Sequence, residues 1–210
     1  MIISCISQKG GVGKSTLARL MAVEMARAGW STLIADLDAA QGTSTTWHHK
    51  RQQAEASPEV DVMRYRSVEK AVKDSDRYDL TILDGPAHAE KGGITMARHS
   101  NLILIPSGYS TDDLEPQVKV AYELEEAGVD PDKIRIALCR LKGSKKEGEG
   151  VRNYLRRARV NALDSELREL QVIRQAHMAG LAASETTHKG INQEAHQLAV
   201  EISQLLTAGD

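Results

Sequence analysis

The stretch Gln8-Lys9-Gly10-Gly11-Val12-Gly13-Lys14-Ser15-Thr16 decides how the rest of the chain is read. An apolar run, Ile2-Ile3-Ser4-Cys5-Ile6, leads into it, and a helical pattern, Leu17-Ala18-Arg19-Leu20-Met21-Ala22, leads out. A buried strand, a glycine-rich turn and a helix N-terminus in that order form an anion cradle. Backbone N–H groups close around phosphate oxygens and the helix end adds partial positive charge. Gly10, Gly11 and Gly13 permit a tight, partly left-handed path that a Cβ atom would obstruct. Lys14 has the reach for β- and γ-phosphates, and the Ser15 hydroxyl suits Mg²⁺. A glycine turn without a ligand has no need of Lys and Ser at its helix end.

Outward from the loop, strand-like and helix-period segments alternate, the pattern of βαβ units. Strands are expected over 2–7, 31–36, 60–64, 80–84, 102–106 and 134–139, with helices over 15–27, about 44–54, 68–73, about 112–127, 150–159 and 191–206. Gly29 and Gly128 are the expected helix C-caps. The stretch Lys142–Gly150 reads as a surface loop. The expected fold is α/β, a doubly wound, mostly parallel sheet with helices on both faces. The whole of 1–210 is expected to be one domain, and the chain is of a length for one full core.

Composition narrows the class. The chain is 41% hydrophobic and 27% charged with a formal net charge of −2, so any nucleic-acid contact must come from a local basic patch. Phe is absent, which leaves the core to Leu, Ile, Val, Ala and Met. The two cysteines, Cys5 and Cys139, both fall in apolar strand-like runs and fit buried thiols in a reducing compartment. No run reaches the roughly 18 apolar residues of a membrane span. The first residues form a strand rather than a secretory signal, so a cytoplasmic location is expected.

Acidic residues stand where strands end, the place at which open α/β sheets bind ligands. The second expected strand ends Asp36-Leu37-Asp38, with two carboxylates on one side of an extended chain. The fourth ends Leu83-Asp84-Gly85-Pro86, the arrangement of a strand-tip carboxylate that holds Mg²⁺ opposite Ser15. Any one of these aspartates also suits the capping of the segment that follows. His88 lies just beyond, as a catalytic group or as an ordinary surface histidine.

A strict phosphate loop has glycine at the position of Gln8, and this chain follows it with Lys9. Lys-Gly-Gly-Val-Gly-Lys-Ser-Thr is the deviant Walker A sequence, and in it the chain resembles the ParA/MinD family of dimerising P-loop ATPases. The resemblance covers nearly the whole chain and thins after about residue 140. It implies an ATP-sandwich homodimer in which Lys9 reaches the phosphates bound by the other subunit. Lys14 and the backbone of Gly10–Thr16 hold the nucleotide, Ser15, Asp36 and Asp84 serve Mg²⁺, and Asp38 orients the attacking water. Adenine is implied by the family alone, with its contacts placed loosely at Cys139–Leu141 and near Gly180. The family reads Asp-x-Asp-Pro-Gln-Gly where this chain has Asp36-Leu37-Asp38-Ala39-Ala40-Gln41-Gly42, a changed loop around the same carboxylates. The absence of a Cys-x-x-Cys pair argues against the iron–sulfur relatives of the group.

Within that family the chain is most similar to short partition ATPases without an N-terminal helix-turn-helix domain. The resemblance implies nonspecific DNA binding in the ATP state, nucleoid association, and a ParB-like or adaptor protein that stimulates hydrolysis. Plasmid, chromosome or protein-assembly cargo all fit. Arg152, Arg156, Arg157 and Arg159 form the expected DNA patch, with Lys145, Lys146, Arg168 and Arg174 as extensions; the same spacing suits a solvated basic helix face. A MinD-like membrane role needs a basic amphipathic last helix. Here Ile191, Ala195, Leu198, Ile202 and Leu205 form a stripe whose polar face carries Glu194 and Glu201 but no Lys or Arg, so core packing is expected and no membrane. A P-loop kinase or ligase-like enzyme acting on a small molecule is the alternative.

Overall fold

The six expected strands form as β1 (Ile2–Cys5), β2 (Thr32–Asp36), β3 (Asp61–Arg64), β4 (Leu80–Asp84), β5 (Leu102–Ser107) and β6 (Ile134–Leu141). A short seventh, β7 (Leu167–Arg168), lies outside the expectations. The computed structural model describes residues 1–38, 42–86, 90–141, 145–168 and 171–208. All pairings between these strands are parallel, in the order β3-β2-β4-β1-β5-β6-β7. The chain leaves β1 toward β2 and returns through β4, then continues on the other side from β5. The loop after β1 therefore lies at the point where the winding reverses, the ligand crevice of such sheets.

Among the described residues eight α-helices pack on the sheet: α1 (Lys14–Arg27), α2 (Thr43–Gln53), α3 (Val68–Ser75), α4 (Glu90–His99), α5 (Thr111–Glu126), α6 (Lys145–Arg157), α7 (Gln171–Met178) and α8 (Lys189–Thr207). Strand side chains alternate between two cores, as a pleated strand buried on both faces requires. Ile3, Cys5, Ile82, Leu104 and Cys139 join one core with α1, α2, α7 and α8. Ile103, Ile105, Leu83 and Leu138 join the other with α3, α4, α5 and α6. The doubly wound α/β architecture with helices on both faces is thus the one found. α1 is its central helix: Leu17, Leu20 and Met21 are fully buried, each contributing about 1.5–3 kcal/mol.

Three expectations need correction. The segment from Lys145 is helical rather than loop, because α6 starts there and buries Val151 and Leu155; Gly148 admits the Tyr109 hydroxyl, which a Cβ would meet at 2.5 Å. Two further helices, α4 and α7, lie outside the expected set. α4 carries Gly92 and Gly93, which weaken local propensity, and it is held by Met96 and Ala97 in the second core. Ala28 and Ala127 are the C-caps of α1 and α5, and Gly29 and Gly128, expected as the caps, follow them one residue later with φ of 92° and 84°. The apolar stripe of α8 is buried against α1, while Glu194 pairs with Arg168 and Glu201 accepts from the N–H groups of Asp164 and Ser165.

The segment after α7 fixes α2. Gly180 has φ +77°, and a Cβ there would meet the Arg51 backbone nitrogen at 2.3 Å. Arg51, 2% exposed, donates to the Gly180 carbonyl and forms a two-point pair with Glu185, while Trp47 donates to the Leu181 carbonyl at 3.0 Å. Gly180→Ala is expected to destabilise the protein by at least about 2 kcal/mol, since both the backbone conformation and the tight approach oppose a side chain. Urea unfolding of the two proteins measures this; an unchanged midpoint would refute the close packing of this turn on α2.

Candidate functional site

The loop between β1 and α1 supplies the site's floor. α1 begins at Lys14 with no side chain capping its first N–H groups, which leaves them for an anion. Gly10 and Gly11 are exposed, whereas Val12, Gly13 and Lys14 are buried and Ser15 and Thr16 half-buried. Gly13 takes φ +121°, and a Cβ there would meet Cys139 Sγ at 2.7 Å. Cys139, at the end of β6, donates to the Val12 carbonyl at 3.3 Å and so supports the loop from beneath. A lone cysteine in a strand pattern carries no sign of that role.

The two lysines of the loop part company. Lys14 Nζ lies 3.4 Å from the Lys9 carbonyl; burial pushes its pKa down, against the pull of Asp84, Cys5 and Asp38. Lys9 turns away toward the start of α5, where its Nζ donates to Asp113 Oδ1 at 2.5 Å and to the Asp112 carbonyl at 3.3 Å. Asp113 is itself ordered by the N-cap Ser110, whose hydroxyl bonds its carboxylate at 2.8 Å.

The strand-tip carboxylates Asp36 and Asp84 are register partners on neighbouring strands and make different contacts. Asp36, 1% exposed, accepts at Oδ2 from the Thr45 N–H (3.0 Å) and hydroxyl (2.8 Å) and at Oδ1 from the Asp38 N–H (3.2 Å). It thus accepts from the first turn of α2, the capping use that such an aspartate also suits. Asp84, 2% exposed, accepts from the Ser44 hydroxyl at Oδ2 (2.7 Å), while its Oδ1 is buried without a hydrogen-bond partner among the described residues. Burial raises the Asp84 pKa, opposed by the Ser44 and Ser15 hydroxyls and by Arg19. An orphaned carboxylate oxygen in a dry setting is costly unless a cation meets it. Among the described residues no three His, Cys, Asp or Glu gather to hold a metal by themselves. The arrangement fits a hard cation shared with a phosphate ligand, with Ser15 and Asp84 the groups to hold it.

Arg19 is a residue of the site that no motif singles out. It lies one turn beyond Ser15, 8% exposed, and donates to the Thr43 carbonyl at 2.8 Å. Its guanidinium lies 5.5 Å from the Trp47 ring centroid, as does that of Arg51. Burial and Arg19 push the nearby His177 imidazole down to about 3, so it is neutral. Of the segments to which sequence loosely assigns the base contacts, Cys139 sits under the phosphate loop and Gly180 against α2.

The expected DNA patch is rearranged. Arg152 is committed to the loop after α6, donating to the carbonyls of Leu163 and Asp164 (both 2.6 Å) and pairing with Glu166. α6 ends at Arg157, so Arg159 follows the helix at φ 54° rather than sharing its face. Arg156, Arg157 and Arg159 are exposed. Arg168 pairs with Glu194. Ala39, Ala40, Gln41, Ala87, His88 and Lys142, and the side chains of Lys145 and Lys146, lie outside the described residues.

A parallel sheet whose first strand feeds a Gly-Lys-Ser loop and the central helix is the P-loop nucleoside triphosphatase fold. A family model described as an AAA domain matches residues 1–83. The chain is similar in fold to the septum site-determining protein MinD complexed with Mg-ADP from Pyrococcus horikoshii OT3, with 19% identity, a TM-score of 0.75 and coverage of 100% of this chain and 98% of that one. It is similar to a putative plasmid partition protein from Borrelia burgdorferi B31 bound to AMPPNP (16% identity, TM-score 0.67, 96% and 97% covered). It is also similar to cobyrinic acid a,c-diamide synthase from Mycobacterium smegmatis with a bound ATP analog and magnesium (13%, TM-score 0.71, 100% and 96%). No curated protein matches the chain. Among the described residues no helix is long and apolar enough to cross a membrane.

Proposed function

We propose that this chain is a dimerising MgATPase of the ParA/MinD type, a single domain with the character of the short partition ATPases. The observation that carries this reading is the division of labour between the two loop lysines. Lys14 lies in the cradle beside the carboxylates, whereas Lys9 is directed out of it to α5. The Lys9 ammonium is held by Asp113 of its own chain, away from its own loop, and in this reading dimerisation transfers it to the phosphates of the neighbouring subunit.

In this reading the N–H groups of Gly10–Thr16 and Lys14 bind the phosphates of ATP. Ser15 and Asp84 hold Mg²⁺, and Asp36 organises the start of α2 beside them. Bound Mg²⁺ would supply charge neutralisation at the phosphates. Asp38 orients a water toward the γ-phosphorus, and Lys9 of one subunit stabilises the charge that develops in the site of the other. Hydrolysis therefore depends on dimerisation, and a ParB-like or adaptor protein would control it by acting on the dimer. Nonspecific DNA, and with it a nucleoid location in the cytoplasm, is the proposed surface partner, met by Arg156, Arg157 and Arg159 rather than Arg152.

The DNA reading predicts that random duplex is retarded in a gel with ATP but not with ADP. Arg156→Glu with Arg157→Glu should weaken that binding and flatten its salt dependence, by about one unit of slope for every DNA phosphate no longer neutralised. Equal binding in both nucleotide states, or binding indifferent to these substitutions, would overturn it. Turnover that responds to a small metabolite and ignores DNA would favour the kinase or ligase-like alternative instead.

A further inference from the structure

α2 opens with four consecutive hydroxyls, Thr43, Ser44, Thr45 and Thr46, and the first three are each drawn to a different group of the site. Thr45 is taken up by Asp36 and Ser44 by Asp84. Thr43 Oγ1 lies 3.2 Å from Ser15 Oγ, 28 residues away in the chain. Ser15 is its hydrogen-bond partner among the described residues, and that partner is itself the hydroxyl expected to meet a cation. Two neighbouring oxygens in a Mg²⁺ octahedron, with metal–oxygen distances of about 2.0–2.1 Å, stand about 2.9 Å apart. The observed pair is already close to that spacing. Asp84 Oδ1, buried and without a hydrogen-bond partner among the described residues, independently marks the same region as one with a carboxylate oxygen left for a ligand.

Something also holds Thr43 in place. Arg19 Nη2 donates to its carbonyl, and the guanidinium is fixed by burial and by the Trp47 ring. A long side chain of α1, the helix that carries Ser15, thus sets where the first residue of α2 sits. The guanidinium is also attracted by the carboxylates of Asp84 and Asp36, while its Nε is buried without a partner among the described residues, a burial that costs stability.

We propose that Thr43 supplies a second protein hydroxyl, beside that of Ser15, to the divalent cation that accompanies the nucleotide, and that Arg19 is the residue that positions it. The inference rests on the reading of the loop as a MgATP site. It makes the first turn of α2 part of the metal site itself rather than a neighbour of it.

Mn²⁺ in place of Mg²⁺ tests this directly. Wild-type protein, Thr43→Val, Thr43→Ser, Arg19→Met and Arg19→Lys are titrated with Mn²⁺ in the presence of AMPPNP. Free Mn²⁺ is read by electron paramagnetic resonance, and metal-bound waters by proton relaxation. Thr43→Val should weaken Mn²⁺ binding about tenfold and add one bound water, the scale on which metal sites respond to loss of an oriented partner. Thr43→Ser should behave as wild type. Arg19→Met should shift both readouts in the same direction as Thr43→Val, and Arg19→Lys should restore them in part. Thr46→Val, at the exposed neighbouring position, is the control, and AMPPNP affinity in EDTA verifies that each variant is folded. Thr43→Val matching wild type in Mn²⁺ affinity and water count would overturn the proposal and leave the MgATP reading standing. Wild-type protein whose Mn²⁺ affinity is indifferent to AMPPNP would overturn both.

Discussion

Lys9→Ala is expected to bind MgATP as the wild type does and to lose about 10³–10⁵-fold in single-turnover hydrolysis, the range associated with a cation supplied to a phosphoryl-transfer site. The position of the side chain is the reason. Its ammonium sits on Asp113 and the Asp112 carbonyl at the head of α5, whereas Lys14 Nζ donates to the Lys9 carbonyl within the loop. Removing a group that does not line its own phosphate site leaves ground-state binding untouched. Removing a charge aimed at the transition state in a partner's site removes rate. The two cases separate on mixing. Lys9→Ala and Asp38→Ala proteins, each inactive alone, should recover turnover together, because a mixed dimer contains one site with both groups intact. Full activity of Lys9→Ala, or no recovery on mixing, would defeat the proposed transfer between subunits.

Asp38→Ala should likewise keep ATP and lose turnover, here by about 10²–10⁴-fold, the usual contribution of a positioned acid–base group. Asp38 stands at the mouth of the site: its N–H donates to Asp36 Oδ1, its carbonyl accepts from the Gly42 N–H at 2.9 Å, and its charge acts on Lys14. The Asp38 backbone is thus held from both sides, by the Asp36 carboxylate and by the Gly42 N–H. Equilibrium binding of a fluorescent ATP analogue alongside the hydrolysis assay separates the outcomes. Lost binding would make Asp38 a structural residue, and unchanged hydrolysis would remove it from the mechanism.

The fold is legible in the chain because its determinants are local and repeated. Apolar runs of β-branched residues bounded by turns announce buried parallel strands, and helix-period segments between them announce the crossovers. Where the signal is short or depends on distant support it fails. β7 has two residues, α4 contains a glycine pair that disfavours helix until Met96 and Ala97 find the sheet, and α6 begins inside a glycine- and lysine-rich stretch that reads as loop until Tyr109 packs on Gly148. The basic patch departs from its expected form for a related reason. Spacing places Arg152, Arg156 and Arg159 on one face of an unbroken helix, but the chain turns after Arg157, and Arg152 satisfies carbonyls of the next loop.

The phosphate loop, its second lysine and the aspartates at the strand tips are readable one residue after another, because their chemistry resides in contiguous motifs whose backbone path is set by glycines and by the strand that precedes them. What those motifs rest on is set by folding. Cys139 reaches Val12 across 127 positions, Thr43 comes to Ser15 across 28, and Arg19 meets Trp47 and the start of α2 through the interior. Such contacts are made by side chains whose partners are chosen by sheet order and helix packing, and a linear pattern carries no record of them. The sequence therefore names the candidate groups for the ligand, and the packed structure names the side chains that hold those groups in place.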